Sequence, residues 1–366
     1  MGPGRTYLDH NASSPLRPAA KTAILAAADL DGNPTSIHAE GRACRRCLER
    51  GRQVVASAVG AEPDGVIFTS GATEANDLAC NQTRGTMLAS AVEHPSVLEA
   101  RGCERLPVDP SGRLDLAALE RRLRSGDVDL VALMAANNET GVVQPVAEAA
   151  RLARRHGAVL HVDAVQVLGR MPLSLAALGA DTIALSAHKI GGPKGVGALV
   201  HASGVAVRAR LRGGGQEHRL RAGTENLIGI ASFAAAIEAI AADEAPRIDA
   251  LRRRLEAAVD VGIVVGGGAA RLCSTVALAL PGMDAASQVM ALDLDGIAVS
   301  AGAACSSGKV ERSHVLSAMG LPDEIVRSTI RVSLGWNTTE ADVDRFVAAW
   351  LRLRRRVRSA GRAVSV

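Results

Sequence analysis

Aromatic residues are nearly absent from this sequence. It holds two Trp, one Tyr and three Phe among 366 residues, whereas 48% of the residues are hydrophobic. We therefore expect a core packed mainly with Ala, Val, Leu and Ile. Apolar runs of about 18 residues or more are missing, which argues against a helix that spans a membrane. Residues 1–7 also lack the apolar region of a signal peptide, so we expect a soluble, cytoplasmic protein.

Neither a strong charge nor a cysteine framework is present. The formal net charge of +4 is spread along the chain, whereas nucleic-acid binding needs a clustered basic face, so no direct nucleic-acid partner is expected. Six cysteines are scattered at 44, 47, 80, 103, 273 and 305, which favours reduced thiols over disulfides. Cys44 and Cys47 form a CxxC pair inside a predicted helix, 38–59, without a second ligand pair nearby. We therefore expect neither a metal site nor a redox site there.

Short β-branched segments alternate with helical segments from residue 54 onwards. The pattern predicts strands at 66–69, 87–90, 128–134, 158–163, 182–185 and 197–201. Helices lie between them, for example at 116–123 and 146–156, and an Ala-rich helix follows at 231–243. Strands separated by helices indicate a mostly parallel sheet covered on both faces. Apolar runs at 276–278, 289–294 and 297–300 suggest a second, smaller α/β domain.

Two polar side chains follow neighbouring predicted strands. Lys189 comes after the strand at 182–185, at the start of a loop rich in Gly and Pro that ends at Gly195. Asp163 ends the strand at 158–163. A partly desolvated lysine reacts with carbonyls as a Schiff-base nucleophile, and a carboxylate can hold a pyridinium nitrogen. Because parallel strands end at one edge of a sheet, both side chains would face the same crevice.

A third segment supplies an anion site. The strand at 66–69 is followed by Ser70-Gly71-Ala72-Thr73-Glu74-Ala75-Asn76, which opens a helix with small residues. Backbone N–H groups at such a helix start bind phosphate. Each segment alone is weak, and a surface lysine or a helix-capping aspartate would be the ordinary interpretation. Together, a lysine, an aspartate and an anion loop at strand ends favour an enzyme that uses pyridoxal 5'-phosphate.

With these motifs in view, the chain resembles the cysteine desulfurases of the NifS/IscS type, within the fold-type I, class V aminotransferase-like enzymes. The matching segments run in family order over nearly the whole chain: residues 7–9, 32–34, 68–74, 93–94, 137–141, 161–166, 186–195, 213–217, 221–226, 300–307 and 330–335. The resemblance implies an α/β fold with a large domain, residues 16–245, built on a mostly parallel sheet of seven-stranded type. Residues 1–15 and 246–366 would form the small α/β domain that carries a catalytic cysteine loop.

The resemblance also implies roles for the cofactor-binding residues. Lys189 would carry the cofactor and then move the Cα proton of the substrate, while His94 would stack on the ring and act as an acid–base group. The remaining implied contacts are Asp163 to the pyridine nitrogen, Gln166 and Asn138 to the ring oxygen, and Ala72, Thr73, Ser186 and His188 to the phosphate. Thr224 would reach the phosphate of the neighbouring subunit's cofactor, so the resemblance implies a homodimer.

Substrate binding and sulfur transfer are assigned to the C-terminal part of the chain in the same way. Arg331 would bind the carboxylate of L-cysteine, with Asn138 beside it, because a planar guanidinium pairs bidentately with a carboxylate. Cys305 lies among small residues, 300–308, and matches the nucleophile of the family. The implied activity is removal of sulfur from L-cysteine, which yields L-alanine and a persulfide on Cys305 for transfer to a sulfur-acceptor protein. No resident metal is implied, although Cys305 could transiently ligate an iron–sulfur cluster.

Other functions are compatible with parts of this pattern. A selenocysteine lyase or a small-amino-acid aminotransferase would share the cofactor residues, but an aminotransferase has no need of a nucleophilic cysteine at 305. A catalytically idle scaffold for sulfur-transfer partners would not need Lys189 or Asp163. The acceptor pathway stays open between iron–sulfur clusters, tRNA thiolation, DNA modification and thio-cofactor synthesis.

Overall fold

The computed structural model describes residues 4–82, 85–259, 263–302 and 312–363. The strands are Thr6–Tyr7 (β1), Val66–Thr69 (β2), Thr86–Ser90 (β3), Cys103–Leu106 (β4), Val128–Met134 (β5), Val159–Asp163 (β6), Thr182–Ser186 (β7), Gly197–His201 (β8), Ile263–Val265 (β9), Thr275–Ala279 (β10), Ile297–Ala298 (β11), Ser300–Ala301 (β12) and Thr329–Ser333 (β13).

The α-helices lie between these strands. They are Pro18–Ala28 (α1), Ala39–Val59 (α2), Ala72–Cys80 (α3), Pro95–Leu98 (α4), Leu116–Leu123 (α5), Val146–Arg155 (α6), Leu175–Leu178 (α7), Leu227–Glu238 (α8), Glu244–Ala258 (α9), Ala285–Leu294 (α10), His314–Ala318 (α11), Asp323–Ser328 (α12) and Glu340–Ala363 (α13). Within the described ranges, no helix is both long and apolar enough to cross a membrane.

A seven-stranded sheet organises the first two thirds of the chain. Its strand order is β2-β8-β7-β6-β5-β3-β4. The five strands from β7 to β4 are parallel, whereas β8 runs antiparallel to both of its neighbours. Strands β2, β6 and β7 are buried along almost their whole length, as expected for a sheet with helices on both faces. The predicted mostly parallel sheet is therefore confirmed.

Three segments differ from the sequence prediction. Strand β4, with the sequence Cys-Glu-Arg-Leu, was not predicted, because an edge strand with two exposed charged residues has no apolar run. The apolar run 289–294 forms the second half of helix α10. The predicted helix at 231–243 begins earlier, at Leu227, where Asn226 caps it, and ends at Glu238, before a separate helix α9.

A smaller four-stranded sheet follows, with the order β12-β13-β10-β9. The N-terminal arm joins this part of the molecule, because β1 pairs with β11 and the Ser333 N–H donates to the Leu8 carbonyl. Helices α9, α10 and α13 enclose its core, in which Phe346 and Trp350 stack with their ring centroids 6.1 Å apart. The larger core around the seven-stranded sheet consists almost entirely of Ala, Val, Leu and Ile, which confirms the expectation from composition.

Candidate active site

The predicted cofactor residues lie at the carboxyl ends of neighbouring strands in the large sheet. Asp163 is the last residue of β6, Ser186 is the last residue of β7, and Lys189 ends the short 3-10 turn that follows. His94 follows β3 and caps helix α4. Since these strands are parallel, their carboxyl ends meet at one edge, where ligands of α/β proteins bind.

Lys189 faces the N-terminal arm. Its Nζ donates to the backbone oxygens of Asn11, at 2.6 Å, and Ala12, at 3.0 Å. The neighbouring His188 lies with Nδ1 3.3 Å from Ser13 Oγ. Burial, with a smaller contribution from the adjacent positive charge of Lys189, lowers the pKa of His188 to about 4. The N-terminal arm, which pairs with β11 through β1, therefore also contacts Lys189.

Asp163 is buried and held from two sides. Its Oδ2 accepts from Asn76 Nδ2 at 2.8 Å, and its Oδ1 accepts from the Val165 N–H at 3.0 Å. His161, on the same face of β6, contacts Asn76 Oδ1 through Nε2 at 3.0 Å. Burial lowers the pKa of His161 to about 4, with the carboxylate of Asp163 partly opposing that shift. The ring of His161 is thus neutral beside the aspartate.

Gln166 and Arg170 link this edge to the N-terminal arm. Gln166 Nε2 donates to the Asn11 carbonyl at 3.2 Å, and Arg170 donates to Gln166 Oε1. Arg170 Nη1 also donates to Asn11 Oδ1 at 2.8 Å. Burial lowers the pKa of Arg170 to about 10. Asn11 therefore joins Lys189, Gln166 and Arg170 in one group.

The predicted anion loop opens helix α3. Gly71 is its N-cap with φ 153°, and Ala72 and Thr73 form the first turn. A Cβ on Gly197 in β8 would lie 2.8 Å from the Cα of Gly71, so the loop depends on a close approach of two backbones. Beside it, Arg221 Nε donates to Glu74 Oε1 at 2.8 Å. Thr224, in the same segment as Arg221, is exposed in this chain.

Arg331 lies in β13 and is nearly fully buried. Its Nη2 donates to Asp9 Oδ1 at 2.9 Å, and its Nη1 donates to the Asn138 carbonyl at 3.3 Å. Its Nε is buried and has no hydrogen-bond partner among the described residues. The Arg331 guanidinium thus forms an ion pair with Asp9 and still has an N–H donor for a substrate carboxylate.

Cys305 lies outside the described residues, but the two ends of its segment meet at one buried carboxyl group. Ser313 Oγ donates to Glu139 Oε2 at 2.6 Å, and a Cβ on Gly302 would lie 2.7 Å from the same oxygen. Burial raises the pKa of Glu139, while Ser313, His314 and Arg331 partly counteract this.

The other five cysteines are free thiols. Burial raises the pKa of four of them, which makes those four poor nucleophiles: Cys47, Cys80, Cys103 and Cys273.

These groups suit pyridoxal 5'-phosphate. An amine, a buried carboxylate and a helix N-terminus are the chemistry that its aldehyde, ring nitrogen and phosphate require. The sequence motifs predict that set but indicate no role for Asp9, Asn11, Asn76 or Arg170. Asp9 lies in a segment that matches the family, which was a signal. Asn76 and Arg170 lie within ordinary helical or turn sequence, and only their contacts distinguish them.

Comparison with known proteins agrees with this geometry. The family model described as aminotransferase class-V matches residues 6–346. The cysteine desulfurase of Cereibacter sphaeroides is 43% identical over 364 residues, covering 94% of this chain and 94% of that protein. The cysteine desulfurase of Klebsiella pneumoniae is 42% identical and covers 94% of this chain and 91% of that protein.

Solved structures give the same result. The NifS-like protein of Rickettsia africae has a TM-score of 0.87 at 34% identity, covering 94% of this chain and 98% of that chain. SspA, solved in complex with cysteine, has a TM-score of 0.80 at 27% identity, covering 91% of this chain and 100% of that one.

Proposed function

Since the chain belongs to the class-V aminotransferase family, we propose that it is a pyridoxal 5'-phosphate-dependent L-cysteine desulfurase. Its products would be L-alanine and a persulfide on Cys305. The observation that carries the proposal is the placement of Lys189 and Asp163 at the edge of the sheet, in a chain 43% identical to a cysteine desulfurase. The structural relative with bound cysteine supports this choice of substrate.

The described residues provide a place for each part of the cofactor. Lys189 would bind its aldehyde and Asp163 its ring nitrogen, with Gln166 and Asn138 at the ring oxygen and His94 over the ring. The phosphate would be held by Ala72, Thr73, Ser186 and His188. When bound, the cofactor supplies an electron sink next to the substrate Cα.

The chain's own groups then bind and orient L-cysteine. Arg331 pairs with the substrate carboxylate, for which its buried Nε is an unused donor. Lys189 takes the proton from Cα, and His94 serves as a second acid–base group close by. The electrostatic influence of Asp163 and Lys189 on the pKa of His94 supports a shared site for these three side chains.

Sulfur transfer requires the thiolate of Cys305. Its sulfur attacks the sulfur of the bound cysteine, so an S–S bond forms as the Cβ–S bond breaks. The electron pair of the broken bond stays with the carbon, which takes up a proton and becomes the methyl group of alanine. Overall, one cysteine and one protein thiol give one alanine and one protein persulfide. An unperturbed thiol is only a few per cent ionised near neutral pH, so a proton acceptor within the site must take the proton of Cys305.

We also propose the assembly and setting of the enzyme. A homodimer would let Thr224 reach the phosphate of the other subunit. Thr224 and two apolar side chains, Leu211 and Ile228, are exposed in the single chain, which supports a subunit interface at this surface. The persulfide would pass to a sulfur-acceptor protein in the cytoplasm. Residues 16–245 would form the large domain, with 1–15 and 246–366 as the small one.

Replacement of the proposed nucleophile tests the function. Cys305→Ser should retain the fold and the bound cofactor and still bind L-cysteine, because Lys189 and Arg331 are untouched. Alanine formation should fall to near background, and no ³⁵S should remain on the protein after incubation with labelled cysteine. The matched control is Cys47→Ser, which should keep both signals.

Three outcomes would contradict the proposal. Wild-type alanine formation by Cys305→Ser would indicate a lyase that needs no protein nucleophile. A keto acid in place of alanine would indicate an aminotransferase. Faster turnover of selenocysteine, independent of Cys305, would indicate a selenocysteine lyase.

A further inference from the structure

Asn76 connects three side chains of the active site, although it has no place in the proposed reaction. It lies in helix α3 and is 1% exposed. Its Nδ2 donates to Asp163 Oδ2 at 2.8 Å and to Ser96 Oγ at 2.9 Å, and its Oδ1 lies 3.0 Å from His161 Nε2. Ser96 Oγ in turn lies 2.8 Å from His94 Nδ1. One amide thus links the aspartate to the histidine.

A backbone N–H group determines which atoms donate and which accept in this series of hydrogen bonds. The Ser96 N–H donates to His94 Nδ1 at 3.1 Å, and a backbone N–H can only donate. His94 Nδ1 is therefore an acceptor, and the proton of the neutral ring must be on Nε2. The Ser96 hydroxyl donates to the same nitrogen, so its oxygen is left to accept from Asn76.

A second anchor gives the same orientation independently. The carboxylate of Asp163 only accepts, so the Asn76 group beside it must be the NH₂ end. Asn76 Oδ1 is then the acceptor for His161 Nε2–H. His161 Nδ1 in turn lacks a proton and accepts from Thr182 Oγ1, at 2.8 Å. Every donor in the series from Thr182 to His94 therefore has an acceptor, and His94 Nδ1 accepts from both the N–H and the hydroxyl of Ser96.

We propose that Asn76 is a positioning residue that couples the cofactor's aspartate to the acid–base histidine by holding His94 in its Nε2–H tautomer. The role in turnover rests on the proposed function, whereas the tautomer itself does not. With Nδ1 occupied by Ser96, His94 presents an N–H donor on the opposite side of its ring. Loss of Asn76 would free the Ser96 hydroxyl to turn away and would leave Asp163 Oδ2 without its side-chain donor.

The charged surroundings of His94 do not decide its tautomer. Burial lowers its pKa, and so do the positive charges of Lys189 and His314, whereas Asp163 and Glu99 act in the opposite direction. Burial and these charges determine what fraction of His94 is neutral at a given pH. Which nitrogen then carries the proton depends on two hydrogen bonds at Nδ1. The Ser96 N–H bond is independent of Asn76, whereas the Ser96 hydroxyl is oriented by Asn76 and adds to the preference for Nε2–H.

Nitrogen-15 NMR of histidine-labelled protein tests the proposal, both without and with the cofactor. The His94 signal is assigned by its absence in His94→Gln. In the wild type, Nδ1 should show the shift of an unprotonated ring nitrogen. In Asn76→Leu, the ratio of the two tautomers should change about fivefold, which is the effect of one net hydrogen bond. The control is Asn81→Leu at the C-cap of the same helix, whose amide donates to Asp77.

A second variant separates the two branches of the network. Ser96→Ala removes the link from Asn76 to His94 and leaves the Asn76–Asp163 bond in place, so the tautomer ratio should change while the cofactor's absorbance does not. This variant also serves if Asn76→Leu does not fold. An unchanged His94 tautomer in either folded variant would overturn the proposal. If the tautomer changes as expected but the wild-type protein has no desulfurase activity, only the proposed function is contradicted.

Discussion

At the scale of single residues, burial controls the protonation of several groups in and around the candidate site. His161 and His188 are held neutral by desolvation, whereas Glu93 and Glu139 have pKa values raised by their burial. Two predictions concern this scale.

The first concerns the attachment site. The sequence holds four lysines, and Lys189→Ala should remove the yellow absorbance of the bound cofactor and abolish activity. Lys194→Ala is the control, because Lys194 is exposed five residues further along and should be dispensable. Borohydride reduction followed by peptide mapping measures the link directly. A reducible link that survives in Lys189→Ala would show that another lysine carries the cofactor.

The second concerns pH and stability. The pKa of His161 is about 4 in the folded protein and about 6.5 in an unfolded chain, so the unfolded state binds more protons between these values. The contribution of His161 to the free energy of unfolding therefore decreases as the pH falls from 6.5 towards 4. The advantage of the wild type over His161→Gln in urea unfolding should shrink by up to roughly 3 kcal/mol across that window.

Glu93 and Glu139 affect stability in the opposite direction. Burial raises their pKa values, so their contribution to stability is lost as the pH rises. They are present in both proteins, so their effect cancels in the difference. A difference that stays constant between pH 7 and 4.5 would contradict the buried, neutral state of His161.

At the scale of elements, strand β12 leads into the segment that carries Cys305, and it ends against a buried carboxyl group. Gly302→Ala would place a Cβ 2.7 Å from Glu139 Oε2 and displace the contact with Ser313. Overpacking of this kind costs about 1–3 kcal/mol.

We expect Gly302→Ala to slow persulfide formation more than cofactor binding, measured by ³⁵S labelling beside the absorbance. Gly268→Ala is the matched control, because nothing lies within 4 Å of a Cβ built there. Equal rates in the two variants would show that the contact with Glu139 does not position the cysteine segment.

At the scale of the whole molecule, the proposed homodimer gives a complementation test. A Lys189→Ala chain and a Thr224→Glu chain should each be inactive alone. Mixed dimers should regain one working site, because Lys189 of one chain then meets the intact Thr224 of the other. Activity in the mixture should approach a quarter of the wild-type level if chains pair at random, since half the dimers would have one of two sites. No recovery in verified mixed dimers, or a fully active monomer in sedimentation, would exclude the composite site.

The mostly parallel sheet and the cofactor class could be predicted from the amino-acid sequence, which also indicated the candidate residues that would bind the cofactor. Lys189, Asp163 and the loop before Ala72 each end a strand that its own apolar residues specify, and parallel strands bring their carboxyl ends together. Strand β4 was missed because an edge strand has little apolar signal.

Only the tertiary structure decided which side chains support that set. Arg331 and Asp9 are 322 residues apart in sequence, and Asn76 and Asp163 are 87 apart, yet each pair forms a hydrogen bond. Such pairings depend on where loops and helices pack, and no local pattern encodes them. The link that we propose between Asp163 and His94 is the clearest case, because it runs through Asn76 and Ser96 and joins three separate segments.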